Sequence, residues 1–116
     1  AARSANGRGW TVTINEYLAA EHAAYAKAHP SYQSRLARIV KCADGLTISV
    51  QASDGHYCDP RENVGPWRTV EIGYPSEVVA EILPWVEDPE NPTDTVYGWV
   101  PVDVVDAVIA AHGGFA

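Results

Sequence analysis

The feature that most constrains the fold is a turn signal followed by a strictly alternating segment. Asp44-Gly45 is a dipeptide favoured in two-residue hairpin turns, because both central positions of a type I′ turn need positive φ. Directly after it, residues 46–53 alternate apolar and polar side chains. This period of two is typical of a strand with one buried face. The sequence therefore predicts a β-hairpin between residues 38–43 and 46–52.

The register of this hairpin poses a problem on the core face. An ideal two-residue turn would place the charged Lys41 opposite the apolar Ile48. We therefore expect either a β-bulge near the turn or a lysine whose stem extends along the end of the sheet.

A helix is predicted near each end of the chain. Thr13 and Glu16 fit the capping-box pattern, and the apolar and Ala-rich residues that follow predict a helix over residues 14–28. Near the other end, Pro101 suits the first turn of a helix that a Gly-Gly pair would stop.

The middle of the chain predicts a further strand and a short helix. Residues 67–74 alternate again, which places Tyr74 on the inward face with the other apolar residues. Ser76 is expected to cap a helix over residues 77–83, which Pro84 would end.

Together with a short strand at residues 96–100, these elements predict the α+β class. We expect a small antiparallel sheet of three to four strands, with an N-terminal and a C-terminal helix packed mainly on one face. The length of 116 residues predicts a single domain, 1–116, in which residues 1–9 are flexible. No apolar run approaches the roughly 20 residues that a membrane span requires, so no membrane association is expected.

Charge is distributed unevenly along the chain. Residues 69–116 contain nine acids and no Lys or Arg, whereas residues 1–41 contain six cations and two acids. The formal net charge is −7, which argues against a protein that binds duplex nucleic acid directly. Since electrostatic fields govern association, the acidic half instead predicts a protein partner with a basic surface.

The best candidate for the contact with that partner is the acidic, Pro-containing loop of residues 87–95, which two tryptophans flank. Tryptophan anchors beside a charged rim are typical of protein interfaces. The predicted partner-binding residues are Glu87, Asp88, Glu90, Asp94, Trp85 and Trp99.

An alternative is an enzyme or metal site centred on His56 and Cys58. An imidazole beside a thiol could activate a nucleophile, and Cys42 with a further histidine could complete a zinc site. Neighbours in sequence rarely face each other with catalytic geometry, and the short paired spacing of zinc ligands is missing. We therefore predict a protein that is not an enzyme, with no catalytic residue, no metal and no cofactor.

Four segments prompt a resemblance to other proteins: SVQAS (49–53), HYC (56–58) with the following Pro60-Arg61, VEIGYPS (70–76), and NPTDTVYGWVPVDVVDAVIAAHGG (91–114). Across residues 49–114 the chain resembles small accessory proteins of phages and prophages, a class that includes anti-CRISPR-like, anti-defence inhibitors. No assigned chemistry accompanies this resemblance, and no site residue is carried over from it.

The resemblance implies a phage-encoded inhibitor that acts in the cytoplasm of the host cell and blocks a basic, nucleic-acid-binding surface of a defence complex. A cytoplasmic location also agrees with the two cysteines and with an N-terminus that lacks a secretory pattern. The other phage-related alternative is a structural protein that assembles with itself through its tryptophan-rich surface.

Overall fold

The computed structural model describes residues 12–116, and the N-terminal segment predicted to be flexible lies outside this range. The elements, in chain order, are α1 (Ile14–Ala28), β1 (Val40–Lys41), β2 (Thr47–Gln51), β3 (Thr69–Gly73), a 3₁₀ helix (Ala80–Trp85), β4 (Val96–Pro101) and α2 (Val102–Ala111). The four strands form one antiparallel sheet in the order β1-β2-β3-β4. This architecture confirms the predicted α+β class.

The hairpin between β1 and β2 forms, but the prediction of a two-residue turn was wrong. The Cys42 N–H donates to the Leu46 carbonyl at 2.8 Å, and the Gly45 N–H donates to the Cys42 carbonyl at 3.0 Å. The loop therefore has three residues, 43–45, of which Gly45 alone has positive φ, at 101°. Glycine suits this left-handed position at the end of a three-residue hairpin loop.

The third loop residue resolves the register problem raised by the sequence. Val40 lies opposite Ile48, and Lys41 lies opposite Thr47. Val40 and Ile48 are both buried, while Lys41 is exposed. The irregularity expected from the sequence thus lies in the turn itself, and Lys41 stays outside the core.

Helix α1 begins as the sequence predicts. The Thr13 hydroxyl accepts the Glu16 N–H at 3.2 Å, and the Glu16 carboxylate accepts the Thr13 N–H at 2.8 Å. A carboxylate from α2, that of Asp106, accepts the Ile14 N–H at 2.8 Å. Since the first N–H groups of a helix have no partner within it, these contacts fix the start of α1 against α2.

Between α1 and β1 the chain forms a turn and then a segment without regular secondary structure, which two side chains hold in place. Glu21 on α1 accepts the Arg38 N–H at 2.7 Å and the Arg38 Nε–H at 3.1 Å. On the other side, the Gln51 amide accepts the Ala37 N–H at 2.9 Å and donates to the Ala37 carbonyl at 2.8 Å. Gln51 thereby pairs with Ala37 as a neighbouring strand would.

The short helix after β3 differs from the prediction. It is a 3₁₀ helix over Ala80–Trp85, it has no side-chain cap, and Pro84 lies inside it instead of ending it. Ser76 has another role, because its hydroxyl accepts the Thr47 N–H of β2 at 2.9 Å. A 3₁₀ helix tolerates this proline because so short a segment has few internal hydrogen bonds to lose.

The alternation in the sequence predicted that Tyr74 faces the core, and this prediction was wrong. Its backbone adopts the left-handed region, with φ of 51°, and its side chain is 59% exposed. The Tyr74 N–H donates to the Thr95 carbonyl at 3.0 Å. The chain therefore turns at the end of β3, and the turn sends the side chain outward.

The core is a single cluster of buried apolar side chains. Its largest fully buried members come from α1, the hairpin, β3, β4, the 3₁₀ helix and α2: Tyr97, Ile14, Leu18, Ile48, Ile72, Ile82, Val40, Val50, Val70, Val100, Val105 and Val108. Among residues 12–116, no helix is both long enough and apolar enough to cross a membrane.

Candidate partner-binding site

The acidic loop between the 3₁₀ helix and β4 is closed by its own hydrogen bonds. The Glu87 N–H donates to the Val96 carbonyl at 3.0 Å, and the Asp88 N–H donates to the Thr95 hydroxyl at 3.2 Å. The hydroxyl of Tyr97, which is fully buried, donates to the Pro92 carbonyl. The loop is therefore anchored to the core at both its base and its middle.

The four acids predicted in this loop have two different roles. The Asp88 carboxylate accepts the Glu90 N–H at 3.1 Å and the Asn91 Nδ2–H at 3.0 Å, so it shapes the loop from within. Glu87, Glu90 and Asp94 are exposed. Three of the four predicted carboxylates are thus open to a partner, while Asp88 serves mainly to hold them in place.

In the described part of the chain, these carboxylates form no ion pair with a cationic side chain. Across residues 12–116, no ion pair includes Glu87, Asp88, Glu90 or Asp94. Since Lys and Arg are absent from residues 69–116, a compensating cation would have to come from the other half of the chain.

Trp99, which lies in β4 after the acidic loop, has an unusual backbone conformation. Residues Val70 and Ile72 of β3 pair with Val100 and Tyr97 of β4, so one residue of β3 faces two residues of β4. The extra residue makes a β-bulge that includes Trp99, whose φ is 54°. A left-handed conformation is a true outlier for so bulky a residue and costs about 1–3 kcal/mol.

The bulge turns the Trp99 side chain outward, where it is 51% exposed. There it stacks on Tyr57, with ring centroids 4.9 Å apart and planes at 26°. The Trp99 N–H donates to the Tyr57 carbonyl at 3.0 Å, and the Tyr57 N–H donates to the Glu71 carboxylate at 2.9 Å. Gly98 makes room for this contact, since a Cβ there would lie 3.3 Å from the Tyr57 Cβ.

Beside this stack lies a recess of about 230 Å³. Its walls are Tyr57, Trp85, Val86, Glu87, Val96, Gly98 and Trp99. The structure thus brings together three residues of the predicted site: Trp85, Trp99 and Glu87. The recess does not include Asp88, Glu90 or Asp94, which lie farther along the loop.

Tyr57 and Arg61 are members of this site that the sequence analysis missed. The Arg61 guanidinium carbon lies 5.6 Å from the centre of the Tyr57 ring. The one sequence feature that pointed to this contact was Gly98, because a glycine inside a strand pattern marks a bulge or a close approach of another chain segment. It does not, however, identify the approaching residue.

The residues of the alternative site around His56 and Cys58 have a different environment. Cys58 is buried, and its Sγ lies 3.2 Å from the Ser53 carbonyl oxygen. Burial raises the pKa of the Cys58 thiol, and it raises the pKa of Cys42 to about 11. A nucleophilic cysteine requires a lowered pKa, so this environment favours two structural thiols.

His56 is also engaged locally. Its Nδ1 lies 2.6 Å from the Ser53 hydroxyl, and burial lowers the pKa of the imidazole. Within residues 12–116, no group of three or more His, Cys, Asp or Glu side chains is arranged to hold a metal ion. The residues proposed as zinc ligands therefore do not come together in the part of the chain that the structure describes.

Comparison with known proteins does not assign a family: no family model, no curated protein and no solved structure matches this chain.

Proposed function

We propose that this protein is an interaction module that binds a basic surface of a protein partner through the acidic loop and the tryptophans beside it. The observation that carries the proposal is the pairing of two features at one place. Exposed carboxylates that form no ion pair within residues 12–116 lie on a loop whose first acid, Glu87, shares a recess with Trp99, and a strained backbone holds that tryptophan outward.

The two features would contribute differently to binding. Exposed carboxylates steer a basic partner and accelerate association, and their effect falls as salt concentration rises. Tryptophan supplies the buried contact area that often dominates the binding energy. The strain at Trp99 fits this role, because unfavourable backbone conformations are concentrated where a side chain must meet a ligand.

The partner class that we propose is a nucleic-acid-processing defence complex of a bacterial host. Such complexes carry basic grooves for phosphates, and a compact acidic surface can occupy such a groove in place of nucleic acid. The resemblance to phage accessory proteins supports this class and the cytoplasm of the host cell as the site of action.

The test is capture of host proteins by two charge-reversed variants that differ only in location. The first carries Glu87→Lys, Glu90→Lys and Asp94→Lys. The matched control carries Glu77→Lys, Glu81→Lys and Asp103→Lys, which changes the net charge equally at three other exposed acids.

We expect the first variant to lose the partner and the control to retain it. The captured complex should then bind less nucleic acid in the presence of the wild-type protein. Equal binding by both variants, or an affinity that stays constant across a salt series, would contradict the proposal.

One observation favours the alternative of self-assembly. A recess of about 650 Å³ is lined by Val12, Tyr17, Arg38, Ile39, Lys41, Phe115 and Ala116; no acidic side chain lines it, and of its two cations Lys41 forms no ion pair within residues 12–116 whereas Arg38 pairs with Glu21. The acidic loop of a second copy would complement it, giving a head-to-tail contact. Sedimentation equilibrium at low and high salt tests this: a monomer under both conditions would exclude it.

A further inference from the structure

We propose that the recess between Tyr57, Trp85 and Trp99 binds a single organic cation, namely an alkylammonium or guanidinium group. This inference rests on the function proposed above, since the cation would be a lysine or arginine side chain of the basic partner. It adds to that function the chemistry of one contact and its position on the protein.

The walls of the recess have the composition that such a cation requires. Three of its lining residues are aromatic, and a positive charge is attracted to the negative face of an aromatic ring. The carboxylate-bearing Glu87 belongs to the same lining. Aromatic rings combined with one carboxylate favour a charged organic cation over a neutral group of the same shape.

The protein already uses this chemistry at the edge of the site. Arg61 places its guanidinium carbon 5.6 Å from the centre of the Tyr57 ring, within the distance at which cation–π attraction is significant. The Tyr57 ring thus contacts one cation of the chain itself and also stacks on Trp99, so the ring contacts of a ligand cation would come mainly from the two tryptophans.

Size and rigidity indicate the same class of ligand. The volume of about 230 Å³ lies below the range of roughly 300–1,000 Å³ usual for pockets that bind drug-sized molecules, so one side chain or one small cation suits it better. Trp99 is held by its stack and by the hydrogen bond from its N–H to the Tyr57 carbonyl. A wall fixed in advance reduces the entropy lost on binding.

The test uses small cations, so it does not depend on identifying the partner. The full chain, labelled with ¹⁵N, is titrated with tetramethylammonium, with N-acetyl-trimethyllysine methylamide and with the neutral alcohol 3,3-dimethylbutan-1-ol. We expect the cations to bind about tenfold more tightly than the alcohol and to shift the indole N–H signals of Trp85 and Trp99. Equal binding of the alcohol would overturn the inference.

Variants localise the effect. Trp99→Ala and Glu87→Gln should each weaken cation binding about fivefold or more. Their matched controls, Tyr74→Ala at another exposed aromatic residue and Glu90→Gln at another exposed loop acid, should not. Binding that persists unchanged in Trp99→Ala would also overturn the inference.

The titrations distinguish a partner side chain from a free cation. Combined with the capture experiment, they also test this inference separately from the proposed function. Tighter binding of the lysine derivative than of tetramethylammonium indicates a side chain, and the reverse indicates a free cation; both support the site. If no cation binds while the charge-reversed loop still loses the partner, this inference fails and the proposed function stands. If cations bind but the charge-reversed loop keeps the partner, the proposed function fails.

Discussion

The region around α1 and the acidic loop both carry charged side chains, but they use them in opposite ways. Glu21 on α1 is buried and accepts hydrogen bonds from Arg38, whose side chain reaches it at 2.9 Å. The exposed acids of the loop have no such partner within residues 12–116. The charged side chains stabilise the fold in the first region, whereas those of the second region remain exposed to solvent or to a partner.

Within residues 12–116, the two oppositely charged halves of the sequence do not neutralise each other through ion pairs of Lys or Arg. Arg38 pairs with Glu21 and Arg68 pairs with Asp59, so both pairs lie within residues 12–68. Arg35 donates to three backbone carbonyls of the preceding residues. In the part of the chain that the structure describes, no Lys or Arg forms an ion pair with an acid of residues 69–116, so the acidic half keeps its charge.

The largest effect should come from removing the buried acid. Glu21→Ala deletes the acceptor of both the Arg38 backbone and side-chain donors, and we expect it to lower the free energy of unfolding by about 2 kcal/mol. Urea denaturation measures it. The control is Glu87→Ala in the loop, expected within about 0.5 kcal/mol of the wild type. Equal losses of stability in the two variants would show that the acids of the two regions do not differ in their contribution to the fold.

The next effect concerns the strain at the loop border. Trp99→Gly and Trp99→Ala both remove the stack on Tyr57, but only glycine relieves the left-handed backbone. We therefore expect the glycine variant to be about 1 kcal/mol more stable than the alanine variant. If their thermal unfolding curves coincide, Trp99 is not under strain, and the argument for its role in binding is weaker.

A similar or smaller effect is expected where the loop meets the core. Tyr97→Phe removes the hydroxyl that donates to the Pro92 carbonyl and should cost about 1 kcal/mol. Amide chemical shifts should change in the loop and stay constant in α1. A change that spreads into α1 would show that the two regions are not independent.

The smallest effect is a change in pH dependence, and its sign differs between the carboxylates of Glu21 and Asp106. Hydrogen bonds from Arg38 hold the pKa of Glu21 below its ordinary value of 4.5, so its stabilisation is complete above that pH and is lost as pH falls through the lower, folded-state pKa. Burial raises the pKa of Asp106 above its ordinary value of 3.8. Its ionised form therefore opposes folding, and this penalty is relieved as pH falls through the raised pKa.

Two substitutions should consequently change the acid side of the stability curve in opposite directions. Glu21→Gln should make the loss of stability on acidification shallower, whereas Asp106→Asn should make it steeper. Asparagine can still accept the Ile14 N–H, so the hydrogen bond to α1 is kept. Urea denaturation between about pH 3 and 6 measures both slopes. Slopes that change in the same direction would contradict this assignment.

Local patterns were sufficient to predict most of the fold. The capping pair Thr13 and Glu16 placed the start of α1, because capping depends on residues three positions apart. Alternation identified β2 and β3 because it, too, depends only on residues that are close in sequence. Local patterns failed at Tyr74, whose N–H donates to the Thr95 carbonyl, and at Ser76, whose hydroxyl accepts the Thr47 N–H instead of capping a helix.

The candidate site was predictable only in part. The acids and the flanking tryptophans can be read from the sequence, and the structure brings Trp85, Glu87 and Trp99 to one recess. The outward turn of Trp99 depends on a bulge, and its stack depends on Tyr57, 42 positions earlier in the chain. Such a pairing is set by tertiary contacts and leaves no periodic signal in the sequence.

The pairing of Gln51 with Ala37 has a consequence for hydrogen exchange. A single side-chain amide protects the Ala37 N–H, which in a longer strand would be protected by a backbone carbonyl. Gln51→Ala should therefore let the Ala37 amide exchange rapidly, while the amides of β3 keep their slow rates. The segment before β1 would then open as a unit separate from the rest of the sheet.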